Sequence, residues 1–223
     1  MPTCALVGAT EFNKDHFVSQ RFDCIIAVDR GYASLTEAGF VPDLVVGDFD
    51  SLGYVPQGEN VLCFPSKKDK SDMELSIHGA IEGGYDTLLF YGALGGRLDH
   101  TIANVQLMVG CARRGLRVAA IDGDYVLVVL DGAGQDRVEF DAFDPAPLDE
   151  GSYGRYISLF SYGGTALDVT ETGLKYSLMD AELSDEVSLG LSNEFTGQRV
   201  SISLEAGNAL LTFSSAAWPY FKW

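Results

Sequence analysis

Two aspartates, two positions apart, follow an apolar run that is typical of a buried strand. Asp48 and Asp50 come directly after Leu44–Val46, within the sequence Gly-Asp-Phe-Asp-Ser. In an extended backbone such residues face the same side, so their carboxylates repel each other unless a cation or a proton lies between them. Mg²⁺ is commonly held by one or two carboxylates and would relieve this repulsion. The alternative is a solvated turn in which Asp50 caps the next helix.

A second group of charged residues surrounds the start of a predicted helix. Asp69 and Asp72 flank this start, where aspartate is also favoured simply as a capping or first-turn residue. Ser71 and Glu74 form a capping-box pattern there. Three lysines stand out in an acidic chain, either to offset phosphate charge at the helix N-terminus or as solvated surface residues: Lys67, Lys68 and Lys70.

The third motif is a glycine-rich loop that ends in a cation. The loop Gly92–Gly96 contains three glycines, which would let its backbone approach a ligand closely, and Arg97 would supply a guanidinium group for phosphate. Asp99 or His100 would open the following helix. For Asp99 the alternative is a plain N-cap, and for His100 it is a structural hydrogen bond instead of acid/base work. The chain has neither a P-loop nor a GxGxxG motif. These absences argue against a P-loop enzyme and against an ordinary dinucleotide-binding protein.

These motifs need a scaffold, and the apolar pattern predicts one. Seven apolar runs are typical of strands that are mostly buried on both faces: Ala5–Val7, Cys24–Val28, Leu44–Val46, Val61–Phe64, Thr87–Tyr91, Arg117–Ile121 and Tyr125–Leu130. Helical segments are predicted between them: Gly31–Ala38, Ser71–Glu82 and Asp99–Arg114. This alternation predicts an α/β fold with a doubly wound, mostly parallel, Rossmann-like sheet. Ligands bind beyond the carboxyl ends of such strands, so we expect the three motifs at one edge, together with a fourth, Asp29-Arg30-Gly31, which directly follows Cys24–Val28.

The remainder of the chain has a different texture. From about residue 152, short strand-like runs punctuated by glycines predict a small all-β sandwich: Arg155–Ser161, Ala166–Val169, Val187–Leu191, Arg199–Leu204 and Asn208–Phe213. We therefore expect residues 1–140 to form an α/β catalytic, nucleotide-binding domain and residues 141–223 to form a β-sandwich domain. Val138–Phe140, close to this boundary, is a candidate for one more strand.

Composition limits the partners of the protein. Among 223 residues, 15 are Lys or Arg and 32 are Asp or Glu, so the formal net charge is −17 and the pI is about 4.3. This balance disfavours nucleic acid and anionic membranes as partners. The longest apolar run, Tyr125–Leu130, is far short of the roughly 20 residues that span a bilayer. The N-terminus lacks a basic region, and the four widely spaced cysteines predict reduced thiols and a cytoplasmic location.

Taken in order, four stretches resemble the signature of the bacterial thiamine pyrophosphokinase family. They are VDRGYASLTEAGFVPDLVVGDFDSL, KKDKSDMELSIHGAIEGG, YGALGGRLDHTIANVQLM, and TGLKYSLMDAEL followed by GLSNEF. GDFDS with GGRLDHTIAN downstream is the specific pair. The resemblance implies transfer of pyrophosphate from ATP to the hydroxyethyl group of thiamine, giving thiamine diphosphate and AMP. It also implies Mg²⁺ as cofactor and a homodimer, with residues 141–223 binding thiamine and forming the dimer.

The resemblance also implies roles for individual residues. It makes four acids catalytic and metal-binding: Asp48, Asp50, Asp72 and Asp99. It assigns nucleotide binding to a second set: Asp29, Ser51, Lys68, Asp69, Arg97, His100 and Asn104. It assigns thiamine binding to a third set: Tyr176, Ser192 and Asn193. Tyr176 would stack on the cationic thiazolium, or it is an ordinary aromatic residue of a sandwich strand.

Two positions depart from the family pattern. Arg30 replaces a glycine in the motif that follows the strand Cys24–Val28, which puts the backbone geometry of that loop in question. Ser71 replaces a threonine and keeps the hydroxyl group.

Two other functions remain compatible with the residues themselves. The segment around Asp48 loosely fits the DxDx[ST] motif of aspartate-nucleophile phosphohydrolases, with Asp48 as nucleophile and Asp50 as acid/base. That motif normally lies on the first strand, whereas here it follows the third. The other alternative is a regulatory protein that binds nucleotide or metal without turnover. Formation of thiamine diphosphate and AMP from ATP and thiamine discriminates the kinase from both.

Overall fold

The computed structural model describes all residues from Met1 to Trp223. The chain forms two compact units. Unit 1 comprises Met1–Leu107 and Ala120–Gly123, and unit 2 comprises Met108–Ala119 and Asp124–Trp223. This division falls at other positions than the predicted domain boundary after residue 140, which stays a prediction. No helix combines the length and the apolar character that crossing a membrane requires.

The sheet of unit 1 is parallel. Its strands are β1 (Thr3–Val7), β2 (Cys24–Val28), β3 (Leu44–Gly47), β4 (Val61–Cys63) and β5 (Thr87–Tyr91). They are ordered β5-β1-β2-β3-β4. A further strand, β6 (Arg117–Asp122), lies beside β5, and its last three residues belong to this unit. Because β1 has its neighbours on both sides later in the chain, the direction of winding reverses there, and ligands of α/β sheets bind at such a point.

Four helices accompany the sheet: α1 (Lys14–Ser19), α2 (Gly31–Ala38), α3 (Asp72–Glu82) and α4 (Leu98–Ala112). α1 was not predicted. It is a six-residue helix capped by Asn13, whose side chain accepts from the backbone N–H of His16. The predicted capping of α3 is present, since Ser71 Oγ accepts from the N–H of Glu74 at 3.1 Å. α4 begins in unit 1 and ends in unit 2.

The core of unit 1 consists of the central strands and an aromatic cluster. Leu6 on β1 and Phe90 on β5 are completely buried, as expected for strands covered on both faces. The rings of Phe17 and Tyr91 meet edge to face with centroids 5.0 Å apart. This packing fixes the strands whose carboxyl ends carry the polar motifs.

Unit 2 contains only antiparallel pairs in its two groups of strands. Its strands are β7 (Tyr125–Asp131), β8 (Arg137–Phe140), β9 (Tyr156–Ser161), β10 (Ala166–Thr172), β11 (Leu178–Leu183), β12 (Asn193–Glu194), β13 (Val200–Ser203), β14 (Asn208–Ser214) and β15 (Phe221–Lys222). One group has the order β7-β14-β9-β12, and the other has the order β11-β10-β13-β8-β15. Two short 3₁₀ helices occur at Ala146–Glu150 and Ser215–Tyr220. Together, the units confirm the predicted fold class.

One predicted strand of the sandwich is wrong. Val187–Leu191 forms turns instead, with hydrogen bonds from Val187 N–H to Ser184 O and from Leu191 N–H to Ser188 O. Its apolar side chains are exposed, so the hydrophobic run reflects a surface and not a buried strand. β11 was missed because half of its residues are exposed and Asp180 and Glu182 interrupt its apolar pattern. The candidate strand Val138–Phe140 is present within β8.

Candidate active site

A pocket of about 450 Å³, lined in part by charged side chains, lies beyond the carboxyl ends of the strands of unit 1. Gly8–Thr10 after β1, Asp29 after β2 and Asp48 after β3 line it. The segment that leads into α3 and the start of α4 complete the lining, so residues of all the polar motifs share one pocket. Sequence reasoning missed Gly8–Thr10, although the position of Gly8 directly after a buried strand was an available signal.

Lys68 lies between two of the pocket carboxylates. Its Nζ atom is 3.0 Å from Asp72 Oδ1 and 3.8 Å from Asp48 Oδ2, and the three side chains are only 14–20% exposed. Burial raises the pKa of Asp72, Lys68 opposes this rise, and the negative charges of Asp48 and Asp29 add to it. Asp48 and Asp72 therefore share one ammonium group, that of Lys68.

Asp29 holds an unusual conformation at the end of β2. Its φ angle is 49°, in the left-handed region, which costs a non-glycine residue free energy and is common at functional sites. Asp29 Oδ2 accepts from Ser51 Oγ at 2.7 Å. The other oxygen, Oδ1, is buried and has no hydrogen-bond partner. A buried carboxylate oxygen without a donor is costly, so a ligand cation or donor at this position would stabilise it.

Asp48 and Asp50 do not share an extended backbone, so that expectation is wrong. Phe49 between them is 2% exposed and has a φ of 61°. Asp48 lines the pocket, whereas Asp50 accepts from Ser66 Oγ at 2.6 Å and is not among the lining residues. The helix-capping alternative for Asp50 is also wrong, because turns follow it and not a helix.

Arg97 and Asp99 form an exposed pair at the start of α4. Arg97 Nη2 donates to Asp99 Oδ2 at 2.6 Å, and the side chains are 72% and 65% exposed. The bond from Arg97 lowers the pKa of Asp99 to about 2. α4 begins at Leu98, so Asp99 is a first-turn residue and not the N-cap. Asp99 and His100 both line the pocket.

The other residues predicted to bind nucleotide also lie at or near this pocket. Asp69 lines it. Asn104 lines it too, but its Nδ2 donates to the carbonyl oxygen of Ala93 at 2.6 Å, so its amide supports the glycine-rich loop. Ser51 contacts Asp29 and is outside the lining.

The residues predicted to bind thiamine lie together in unit 2. Asn193 is 7% exposed, and its Nδ2 donates to Glu171 Oε2 and to Tyr176 O while its Oδ1 accepts from Tyr176 N–H. Asn193 thus fixes the turn that presents Tyr176. Tyr176 is 61% exposed, and Ser192, which precedes Asn193 in the chain, has a φ of 60°. Sequence reasoning missed Glu171, a buried acid whose pKa is raised by burial.

The four acids predicted as metal ligands are engaged with protein partners. No group of three or more His, Cys, Asp or Glu side chains stands close enough to hold a metal ion. Asp48 and Asp72 share Lys68, Asp50 bonds Ser66, and Asp99 bonds Arg97. The oxygen donors nevertheless suit Mg²⁺ in kind, and Asp29 Oδ1 leaves one of them without a partner. Asp29, Asp48 and Asp72 line this pocket and are acids of the right kind, but in their present positions they are not grouped closely enough to hold an ion together.

A parallel sheet with a charged pocket beyond its carboxyl ends, followed along the chain by antiparallel sheets, defines an α/β protein with a candidate ligand site and an added β domain. Residues 16–120 match the family model of the thiamin pyrophosphokinase catalytic domain, and residues 146–208 match that of its vitamin B1 binding domain. The chain belongs to the thiamin pyrophosphokinase family. It is therefore an enzyme of the transferase class, a thiamine diphosphokinase that uses ATP as co-substrate.

Relatives cover nearly the whole chain. Thiamine pyrophosphokinase of Bacillus subtilis is 27% identical over 198 residues, which span 85% of this chain and 86% of the relative. The crystal structure of thiamin pyrophosphokinase from Geobacillus thermodenitrificans is 30% identical, covers 96% of this chain and 97% of its own, and has a TM-score of 0.75. A Bacillus subtilis crystal structure at 23% identity, with a TM-score of 0.78 over 95% and 98% of the two chains, supports the fold. These matches do not favour the phosphohydrolase or the regulatory protein.

Proposed function

We propose that the pocket of unit 1 binds the polyphosphate of ATP together with Mg²⁺, and that pyrophosphate passes from there to thiamine. The oxygen of the thiamine hydroxyethyl group attacks the β-phosphorus, the bond from that phosphorus to the α,β-bridging oxygen breaks, and AMP leaves. The proton of the hydroxyl group goes to a carboxylate of the pocket. The observation that carries this proposal is the buried Asp29 oxygen without a donor, beside two carboxylates that share Lys68.

The proposed roles follow from the positions of the side chains. Asp29, Asp48 and Asp72 would hold Mg²⁺ after moving closer together than they stand here, and the ion would supply charge neutralisation for the phosphate oxygens. Asp50 and Asp99 stay in the proposed ligand set, but each would first leave its present partner, Ser66 or Arg97. Lys68 and Arg97 would neutralise the remaining phosphate charge, and His100 would line the phosphate site.

Turnover is the direct test. The purified chain is incubated with ATP, MgCl₂ and thiamine, and the products are separated by chromatography. We expect thiamine diphosphate and AMP in equal amounts. ADP and thiamine monophosphate would contradict pyrophosphate transfer, and inorganic phosphate without a thiamine product would favour the phosphohydrolase.

Removal of divalent cations is expected to lower turnover by about 10-fold or more, because the carboxylates then face the polyphosphate without neutralisation. The measurement is the rate with excess EDTA, followed by the rate after Mg²⁺ is restored. The matched control is excess CaEDTA with Mg²⁺ present, which reports on the chelator itself. An undiminished rate in EDTA would show that the carboxylates do not act through a cation.

We also propose a homodimer, based on an exposed apolar face of unit 2. This face consists of five residues that are 55–66% exposed: Tyr176, Met179, Val187, Leu189 and Leu191. Its segment 189–191 lies beside β9, because Leu159 N–H bonds Gly190 O and Ser192 N–H bonds Ser158 Oγ. Contiguous exposed apolar residues mark interaction sites, and most soluble oligomers are symmetric assemblies of one chain. A second copy of this chain is therefore the proposed partner.

The double variant Val187→Asp, Leu189→Asp is expected to be monomeric, because charges buried at such an interface are unpaired. Sedimentation velocity of the variant and the wild type at the same concentration measures this. The control is Val41→Asp, since Val41 is 84% exposed in unit 1, outside the apolar face. A wild type that sediments as a monomer would contradict the proposal.

Thiamine binding is proposed for Tyr176, Ser192 and Asn193, with Tyr176 as the residue that touches the ligand. Its exposed ring suits stacking on a cationic thiazolium, and Lys175 Nζ lies 5.5 Å from the ring centroid. Asn193 would act by holding the Tyr176 turn. A cytoplasmic location also stays a prediction, supported by four free cysteines and checked by fractionation of the native host.

A further inference from the structure

A buried carboxylate outside the pocket lining holds the glycine-rich loop. Asp122, the last residue of β6, is 2% exposed and accepts from three successive backbone N–H groups. Its Oδ1 accepts from Gly92 at 2.5 Å, and its Oδ2 accepts from Ala93 at 3.1 Å and from Leu94. Three aligned N–H groups form the kind of concavity that proteins use to bind anions, and here the anion belongs to the chain itself.

The carbonyl groups of the same loop are held from other elements. Thr10 Oγ1 donates to Leu94 O at 2.6 Å, and the backbone N–H of Thr10 donates to Gly92 O at 3.0 Å. From α4, Thr101 Oγ1 donates to Gly95 O at 3.1 Å, and Asn104 donates to Ala93 O. The loop is therefore fixed on both its donor and its acceptor side, with Asp122 as the acceptor for three consecutive donors.

The conformation that these bonds maintain is one that glycine adopts without strain and that other residues rarely adopt. Gly92, Gly95 and Gly96 have φ angles of 58°, 82° and 62°. A Cβ atom at Gly92 would lie 2.9 Å from Gly8 O, so the loop also packs closely against the chain after β1. Gly8 and Gly92 both line the pocket. The shape of the pocket around Gly8 and Gly92 thus depends on the position of the glycine-rich loop.

We propose that Asp122 is a positioning residue for nucleotide binding, which sets the Gly92–Arg97 loop against the pocket through its three backbone hydrogen bonds. The proposal rests on the proposed function, since it assumes that this pocket binds ATP. Asp122 does not line the pocket, so its effect passes through the loop.

The electrostatics of Asp122 agree with a positioning role. Burial raises its pKa to about 7, the three N–H donors oppose that rise, and the charge of Glu11 adds to it. A buried carboxyl group is costly unless it is hydrogen-bonded. Its three hydrogen bonds are all made to one loop, so the same contacts that offset the cost of burial also order that loop.

Asp122→Asn tests the proposal because it keeps the shape of the side chain. The new amide group can accept through one oxygen only, and its NH₂ group must face at least one N–H donor of the loop. We expect the KM for ATP to rise about 10-fold and the KM for thiamine to stay within about twofold. Hydrogen exchange of the amides of Gly92, Ala93 and Leu94, slow in the wild type, is expected to become faster in the variant.

The matched control is Asp131→Asn. Asp131 is another buried aspartate at the end of a strand, but its Oδ1 accepts from the Asn208 side chain in unit 2. We expect this variant to lose stability while its KM for ATP stays within about twofold of the wild type. An equal rise of the KM for ATP in both variants would assign the effect to general destabilisation and overturn the proposal.

Three other outcomes of these experiments also bear on the proposal. An unchanged KM for ATP in Asp122→Asn would overturn the proposal, provided that the wild type turns over. If the wild type shows no thiamine-dependent turnover, the proposed function fails, and the amide exchange separately reports whether Asp122 orders the loop. If Asp122→Asn does not fold, the wild type itself is decisive: unprotected amides at Gly92, Ala93 and Leu94 would overturn the proposal. Thr101→Val, which removes the bond to Gly95, is then expected to raise the KM for ATP in its place.

Discussion

Replacement of Asp72 by asparagine is expected to lower kcat/KM for ATP by about 100-fold or more while the chain still folds. Asp72 contributes a negative charge at the most crowded point of the pocket, 3.0 Å from Lys68 Nζ. The amide has the same shape but no charge, so it can neither hold Mg²⁺ strongly nor accept a proton. Steady-state kinetics with ATP varied at saturating thiamine measure the effect.

Folding is expected to tolerate Asp72→Asn because two terms oppose each other. The variant loses a carboxylate in the first turn of α3, which is worth about 0.3–1 kcal/mol. It also removes a group whose pKa is raised by burial and by the like charges of Asp48 and Asp29. A group with a raised acid pKa lowers stability at pH values above that pKa, so its removal offsets the first loss.

Glu74→Gln is the matched control for Asp72→Asn. Glu74 lies in the same first turn of α3, with its Oε1 atom 3.8 Å from Lys70 Nζ and 3.7 Å from His78 Nε2 on the helix surface. Both substitutions remove one carboxylate from the same turn, but only Asp72 lines the pocket. Wild-type kinetics in Glu74→Gln are expected. Wild-type kinetics in Asp72→Asn would place the reaction elsewhere.

Gly31→Ala is expected to lower the free energy of unfolding by about 3 kcal/mol, at the upper end of what overpacking costs. A Cβ atom at Gly31 would lie 1.8 Å from Val7 O and 2.6 Å from Val7 C. Those atoms belong to the backbone of β1, which is paired on both sides and cannot shift without disturbing the sheet. Urea denaturation followed by circular dichroism measures the change.

Arg30→Ala is the control for Gly31→Ala, one residue earlier in the chain. Arg30 is exposed and has φ −63° and ψ −16°, a right-handed helical conformation that any residue adopts. We therefore expect its substitution to change the free energy of unfolding by no more than about 0.5 kcal/mol. A neutral Gly31→Ala would mean that β1 and α2 can separate more easily than their backbone contact indicates.

These two positions resolve the departure from the family pattern at Arg30. The position where Arg30 replaces a glycine does not require one, since its φ angle is negative. The strained residue is Asp29 before it, and the steric requirement falls on Gly31 after it. The sequence of a motif with two glycines does not show which glycine is required because a side chain would clash with the neighbouring backbone, and which one can be replaced.

Local pattern predicted the first unit well because its strands are short apolar runs with clear limits. Cys24–Val28, Thr87–Tyr91 and Gly31–Ala38 have the predicted bounds, since polar residues or glycine follow each of them. The run Val187–Leu191 misled because apolar residues on a surface have the same composition as those in a core. α1 escaped notice because six residues give too few turns for a helical period.

The site was predictable as a group of motifs but not as a set of contacts. The parallel sheet brings Asp29, Asp48 and the Gly92 loop to one edge by a general rule. Asp48 and Asp72 pair with Lys68, and Asp50 accepts from Ser66. These contacts depend on the backbone conformation of loops, which the sequence pattern does not predict. The bond between Asp122 and Gly92 joins residues 30 apart in the chain, and it depends on the positions of the ends of β5 and β6.

The loop Gly92–Gly96 has a thermodynamic consequence for the ligand. Ordering a backbone residue costs about 1–2 kcal/mol in entropy, and glycine loses more than other residues. If the loop became ordered only when ATP bound, that loss would reduce the affinity. Because the loop is already fixed within unit 1, this entropy is lost on folding and not on binding. The loss lowers the stability of the protein, and in return the proposed nucleotide site is preorganised.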